Sequence, residues 1–398
     1  MIPIYHGFDG LEFAINVAIP EHLCIRLQEA QATARDTDDP VQVGFGSDWL
    51  VIHPTGARGG YAFRCTHAKT GEWFFKKPLE KDPWGVRFSC ASQALALHGL
   101  EGVRQMCKAL LESLDIDAPD SAYCPSRVDF AVDFIGPDFK LDPDLFVVHS
   151  NTGRRTIADI ETIDIHARSN RTTSVTVGKM PGRQVIIYDK TQEVLAHRKF
   201  EWHKIWDRAL ASKGLTRDHA PIWRVEVRVA KRHLKDNWNV KSWASLYELL
   251  PEIFQKLLSD IRYCAPSIDS NRSRWEPHQM WQDVSGLIET DLFNHVSTLS
   301  PDEYIEVKRE QKIESVAARL EEIKAALEPE PPLRSALETD EPNDEMLNRR
   351  PEHIGLLKYT GDSKPGNTTG IYFGTTLGSW HWYPDGTAPE AIDFVEDL

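Results

Sequence analysis

The sequence predicts an α+β chain. Three observations carry that expectation. Short runs, alternating or rich in aromatic and β-branched residues and bounded by Gly, Pro or Asp, recur through the first 230 residues. Helical periodicities are interleaved with them. Beyond residue 230 the pattern becomes helical, and it is followed by an acidic, Pro-rich stretch.

In chain order, Leu11–Ile19, Trp49–His53, Tyr61–His67, Trp73–Lys77 and Val86–Cys90 read as strands, with Ala68-Lys69-Thr70-Gly71 as a hairpin loop. Thr55–Gly60 is Gly-rich but lacks the Gly-Lys-Ser/Thr of a phosphate loop, so it reads as a turn. A helix is expected over Leu100–Leu114, where Val103, Met106, Cys107, Leu110, Leu111 and Leu114 recur at three- and four-residue spacing. Arg127–Phe134 alternates strictly and is a strand. Ser174–Gly178 and Gln184–Asp189 are two more, followed by a helix over Thr191–Ala211 and an alternating strand over Ile222–Ala230. Helices are then expected over Ser242–Tyr263, kinked near Pro251, and over Met280–Val296. A third runs from a capping box at Ser300-Pro301-Asp302-Glu303 to Leu327. This gives a body over residues 1–265, a helical extension over 266–327, an acidic linker over 328–352, and an aromatic tail or small β element over 353–398.

A chain of 398 residues, 41% hydrophobic and 27% charged, excludes collagen-like, wholly disordered and coiled-coil-only architectures. No apolar run approaches the ~18 residues of a membrane span, and no Lys or Arg precedes Arg26, as a secretory n-region would require. Six scattered cysteines with no C-x-x-C suggest neither a zinc ribbon nor a disulfide framework. A cytoplasmic protein with no membrane partner is expected. The net charge of −14 is uneven: residues 1–150 sum to −8, residues 151–250 to +8, residues 251–300 to −3 and the remainder to −11. The central basic block is where a polyanion would be met, although charge alone favours a chance fluctuation of solvated surface charge.

Two strands carry ionisable residues on one face. In Arg127–Phe134, Val128, Phe130, Val132 and Phe134 point one way, and Arg127, Asp129, Ala131 and Asp133 the other. Asp129 and Asp133 stand about 13 Å apart by strand rise, so an ion shared by them needs help from a neighbouring strand. In Trp223–Val229, Arg224, Glu226 and Arg228 share a face. If the two strands are neighbours, Glu226 joins an Asp as an oxygen ligand for Mg²⁺ or Mn²⁺, and the arginines meet phosphates. The same residues can instead satisfy one another as a cross-strand salt-bridge ladder. Val185-Ile186-Ile187-Tyr188-Asp189-Lys190 ends a strand and feeds a helix, with Lys179 and Arg183 just before it. A phenol is a poor nucleophile at a pKa of about 10, and an adjacent ammonium such as that of Lys190 favours the phenolate. The plain alternative is an amphipathic tyrosine at the rim of a sheet.

Together these blocks resemble the Rep_trans, or replication initiation factor, family of rolling-circle replication initiators and its related conjugative relaxases. Arg127–Asp133 is similar to the family's R-x-D-x-A-x-D strand. Gly178 to Lys190 is similar to its G-x-R…R-x-Y-x-K block, with Tyr188 in the nucleophile's place, and Trp223–Arg228 to its R-x-E-x-R strand. The resemblance spans about residues 45–265. It implies a relative of the HUH endonucleases, with a central antiparallel sheet flanked by helices and a nicking domain over 1–265. None of the 15 histidines forms an H-x-H pair, so carboxylates would replace the usual imidazoles, favouring Mg²⁺ or Mn²⁺ over zinc.

The resemblance implies a metal-dependent, site-specific DNA endonuclease and transesterase that initiates rolling-circle replication of a plasmid, phage or mobile element. Tyr188 would be the nucleophile and Lys190 its tuning residue. Asp129, Asp133 and Glu226 would be metal ligands, and Arg127, Lys179, Arg183, Arg224 and Arg228 phosphate contacts. The implied partners are an origin, single-stranded or extruded as a hairpin, together with a helicase and a second copy of the chain. A conjugative relaxase of the same chemistry, a DNA-binding regulator that keeps the fold, and a scaffold recruiting through residues 300–398 are the alternatives.

Overall fold

The computed structural model describes residues 1–148, 163–168, 170–294, 299–327, 370–374 and 380–384. The expected linker at 328–352 lies outside the described residues. The chain divides into two units, Met1–Ile323 and Lys324–Leu398. In the second unit, Gly370–Gly374 pairs antiparallel with Trp380–Pro384.

The first unit is built on one antiparallel sheet of eleven strands, as the α+β reading requires. Its strands are β1 (Ile2–Ile15), β2 (Val41–Phe45), β3 (Asp48–Ile52), β4 (Phe63–His67), β5 (Gly71–Phe75), β6 (Val86–Cys90), β7 (Tyr123–Ile135), β9 (Ile163–Arg168), β10 (Arg171–Lys179), β11 (Arg183–Asp189) and β12 (Ile222–Ala230). They lie in the order β2-β3-β4-β5-β6-β1-β7-β12-β11-β10-β9. The short β8 (Phe146–Val148) pairs separately with β13 (Ile261–Tyr263).

One face of the sheet is the main core. Phe13, Phe88, Val128, Phe130, Val132, Val225 and Val227 pack there beneath α1 (Glu21–Thr37), α2 (Ser92–Ser113), α5 (Trp243–Asp260) and α6 (Gln279–Asp291). A second, smaller apolar cluster lies on the opposite face. There α3 (Lys190–Ala196) and α4 (Glu201–Ala211) bring Val194, Trp202, Ile205, Trp206 and Leu210 against Tyr5, Ile135 and Ile222. The central strands are therefore buried on both faces near one end and open toward the other. The helix α7 (Pro301–Leu327) opens with the expected capping box: Ser300 N donates to Glu303 Oε2 at 2.9 Å, and Glu303 N donates to Ser300 Oγ at 3.3 Å. Lys308 of α7 pairs with the buried Glu201 of α4 at 2.9 Å.

Four expectations are corrected. The helix expected over Thr191–Ala211 is two helices, because Arg198 turns at φ +52° and lets Trp202 and Trp206 face the sheet. The helix expected to reach Tyr263 stops at Asp260, since Ile261–Tyr263 is drawn into pairing with β8. Pro251 sits within the helix. The α2 helix starts earlier than its periodicity suggested, as two segments joined at Gly99, whose φ of +64° favours glycine. The expected helix over residues 280–296 ends by Asp291, and residues 295–298 lie outside the described residues.

Beside β12, His233 is buried and held neutral. Its Nε2 accepts from Trp238 Nε1 at 3.1 Å, and burial pushes its pKa down to about 4. A base with a depressed folded pKa stabilises the fold above the unfolded value of about 6.5 and loses that contribution as pH falls toward 4. The loss is about 3 kcal/mol. His233→Gln is expected to flatten the stability difference between pH 7 and pH 4 in urea titrations by that order.

Candidate active site

The three sequence blocks converge on adjacent strands. β7, β12 and β11 are neighbours, with Asp133 opposite Arg224 and Asp129 opposite Arg228, and Arg224 opposite Tyr188. Period-two alternation then places Asp129, Asp133, Arg224, Glu226, Arg228 and Tyr188 on the face away from the main core.

At the covered end, Arg224 is fully buried. Its Nε donates to Asp133 Oδ1 at 2.6 Å, its second amino group to Oδ2 at 2.9 Å, and its first to Asp9 Oδ1 at 2.6 Å. Trp206 Nε1 donates to Asp133 Oδ2 at 2.8 Å. Both oxygens of Asp133 are thus occupied under α4, and Arg224 stacks over Trp202 at 4.3 Å. Burial acts to raise the Asp9 carboxyl, but the charges of Arg224, Lys190, Arg228 and Lys199 together outweigh it and hold the group below its ordinary range. Arg224 braces carboxylates and is closed to solvent.

At the other end, Arg127 engages both oxygens of Asp129, its Nε donating to Oδ1 at 3.0 Å and Oδ2 at 2.9 Å and an amino group to Oδ2 at 2.5 Å, and Arg228 Nε donates to Glu226 Oε1 at 2.7 Å. Asp129 lies against Gly10 of β1, where a Cβ would collide with Asp129 Oδ2. Glu226 Oε2 is buried with no hydrogen-bond partner among the described residues. Burial, together with the Glu226 charge, pushes Asp129 up to about 7. Asp129 and Glu226 are therefore a buried carboxylate pair in which Glu226 Oε2 has no hydrogen-bond partner among the described residues, an oxygen donor of the kind a hard divalent cation takes. Asp133 does not join them. Among the described residues no three His, Cys, Asp or Glu side chains are grouped to hold an ion.

Tyr188 is half-buried at the end of β11. Asp189 caps α3 by accepting from Gln192 N at 3.1 Å. This places Lys190 at the first helical position, where its Nζ donates to Tyr188 Oη at 3.4 Å and pairs with Glu193 Oε2 at 2.7 Å. The electrostatics differ from the sequence expectation. Burial, then the Glu226 charge, push the Tyr188 phenol well above its ordinary value, with Arg224 opposing. Burial, then Arg224, push Lys190 down. The surroundings keep the phenol protonated and bring a weakened ammonium to its oxygen. Tyr188 opens on a groove of about 770 Å³ between the β9–β10 ribbon and α3, lined also by His166, Thr173, Ser174, Thr176, Gln192 and Arg228.

The other expected residues lie elsewhere. Arg183 has the opposite parity, is buried against the core-side helix α5, and donates to Asp260 Oδ2 at 2.6 Å. Lys179 is exposed and pairs in register with Arg183, so it shares that other face. Asp9, Trp206 and the groove residues went unread in the sequence. Asp9 sits inside the register shift between Phe8 and Gly10, which breaks the alternation by which it could have been found.

No family model matches the chain, and no curated protein matches it. Among solved structures it is similar to a rolling circle replication initiator protein from Geobacillus stearothermophilus, at 13% identity and a TM-score of 0.38, over 73% of this chain and 98% of that one. A likeness this low carries neither fold nor function across. Among the described residues no helix is long and apolar enough to cross a membrane.

Proposed function

We propose that the protein is a DNA-nicking and strand-transfer enzyme that starts rolling-circle replication through a phosphotyrosine at Tyr188. One observation carries the reading. Three blocks far apart in sequence meet on adjacent strands, and one face of the sheet carries a half-exposed tyrosine with Lys190 at its hydroxyl, Glu226 and Arg228 along the next strand, and Asp129 and Arg127 beyond them, beside a groove that Tyr188 and Arg228 both line.

In this reading a strand lies in the groove with its scissile phosphate at Tyr188. Arg228 and Arg127 neutralise phosphate oxygens with the guanidinium edges they present to solvent. Lys190 orients the phenol and, as the amine, accepts its proton. The Tyr188 oxygen forms a bond to phosphorus while the bond from phosphorus to the 3′ oxygen breaks, and Lys190 returns the proton to that oxygen. The products are a 5′-phosphotyrosine and a free 3′-OH. Asp129 and Glu226 would hold Mg²⁺ or Mn²⁺, which when bound supplies charge neutralisation at the phosphate. Such ions are often held by only one or two carboxylates, the substrate phosphate completing the shell.

Supercoiled plasmid and single-stranded oligonucleotides from the protein's own genomic neighbourhood, incubated with Mn²⁺, should give nicked product and a covalent adduct on denaturing gels. DNA binding without either product would leave a binding-only protein. Asp129→Asn and Glu226→Gln are each expected to lower the nicking rate at least tenfold and to raise the Mn²⁺ concentration needed. Asp133→Asn should act mainly on stability, because its carboxylate faces Arg224 and Trp206. Equal Mn²⁺ requirements in all three variants would remove the two-carboxylate assignment.

A further inference from the structure

The face that carries the site continues well beyond it. By register, Arg127 on β7 stands opposite Glu12 on β1, and Glu12 opposite Ser89 on β6. Arg87 on β6 stands opposite Phe74 on β5, and Phe74 opposite Arg64 on β4. Val51 on β3 is opposite Thr66 of β4, and Trp49 lies two residues along on the same face. Arg228, Arg127, Arg87 and Arg64 therefore form a row leading away from Tyr188. Their side chains are 25%, 31%, 37% and 43% exposed in that order.

Carboxylates hold Arg228, Arg87 and Arg64 without using them up, whereas Arg127 turns its Nε and one amino group to Asp129 and the other amino group toward Glu12. Among the described residues Arg228 and Arg64 pair with Glu226 and Glu72 through Nε alone, and Arg87 donates one amino group to Glu12 at 3.1 Å. A guanidinium has five donors, so outward edges are left. Arg87 also stacks over Phe74 at 5.2 Å. Beyond Arg64, four residues or about 13 Å along β3 from its level, Trp49 is 55% exposed, its indole lying against the backbone of Gly44. A salt-bridge ladder accounts for the carboxylates, but not for outward guanidinium edges ending at an exposed indole.

We propose that Arg87, Arg64 and Trp49 form a second, remote subsite for single-stranded nucleic acid. The proposal rests on the nicking reading above. A strand emerging from Tyr188 crosses the sheet with successive phosphates on the arginine row and stacks an unpaired base on Trp49. Six strand spacings of about 4.8 Å separate β12 from β3, roughly 29 Å in all. That is a distance for a footprint within the order of 4–16 nucleotides seen on other single-strand platforms.

The test is anisotropy titration of the full-length protein with dye-labelled oligothymidylates of about 4 and about 16 nucleotides, at several salt concentrations. Wild type should gain affinity with length. Trp49→Ala should lose roughly tenfold on the longer strand, and Trp49→Phe should keep it. Arg64→Gln should reduce the log–log salt slope by about 0.7. If wild type gains with length and Trp49→Ala keeps the whole gain, the remote subsite is overturned while the nicking reading stands. If wild type binds neither strand, both fall.

Discussion

Tyr188→Phe should abolish the covalent protein–DNA adduct and lower nicking by at least about 10³-fold, the scale on which removal of a nucleophile acts, while leaving DNA affinity unchanged. The separation of the two effects follows from the geometry. The phenol contributes one long contact from Lys190 at 3.4 Å, so the ring keeps its packing and the groove its lining when the hydroxyl is lost. Phosphate contacts come from other residues. Wild-type activity should rise with pH above neutrality, because burial and the Glu226 charge hold the phenol up and burial holds Lys190 down. Lys190→Met removes the proton acceptor and should flatten that rise. A Lys190→Met enzyme with the wild-type pH profile would mean that the proton leaves by another route.

Arg224→Met should be the most destabilising single change at the site, costing about 3–5 kcal/mol. The side chain is wholly closed to solvent and answers two carboxylates at once, Asp133 and Asp9, at 2.6 Å each. Removing it leaves both buried charges uncompensated. The loss should be read by urea denaturation at pH 7. Replacing Asp133 with Asn in the same chain should restore part of it, because a buried pair costs most when only one member remains. Arg228→Met, a quarter exposed at the open end, should cost much less. A loss under about 1 kcal/mol for Arg224→Met would contradict the bracing role and return this arginine to the phosphate contacts.

The strands of the site were legible because period-two alternation is local. Residues 127–134 and 222–230 declare both their conformation and the face that carries charge. Their adjacency was not legible, since β7 and β12 pair directly although β8 to β11 come between them in the chain, nor was β1, first in the chain, which lies on the other side of β7 and supplies Asp9 and Gly10. The helix α1 was missed because its buried stripe includes Cys24, Ala30, Gln31 and Ala34 beside only two leucines, a weak contrast for periodicity to reveal. Asp129 and Asp133, equivalent in sequence and both buried, separate only in the structure, where α4 and Arg224 close over Asp133 while Arg127 and Gly10 hold Asp129. The sign of the Tyr188 perturbation was misread for a related reason. The neighbouring lysine is visible in the sequence, but the burial that weakens its ammonium is a tertiary property. Arg183 was misplaced for want of parity: counted from Tyr188 it falls on the opposite face, where Asp260 takes it.

The most direct test of the central claim is to trap the adduct formed with Mn²⁺ and a single-stranded oligonucleotide, digest it, and locate the nucleotide by mass spectrometry. The account predicts a 5′-linked phosphonucleotide on the peptide carrying Tyr188, and on no other tyrosine. A modification at a different residue, or nicked DNA whose 5′ end carries no peptide, would contradict it.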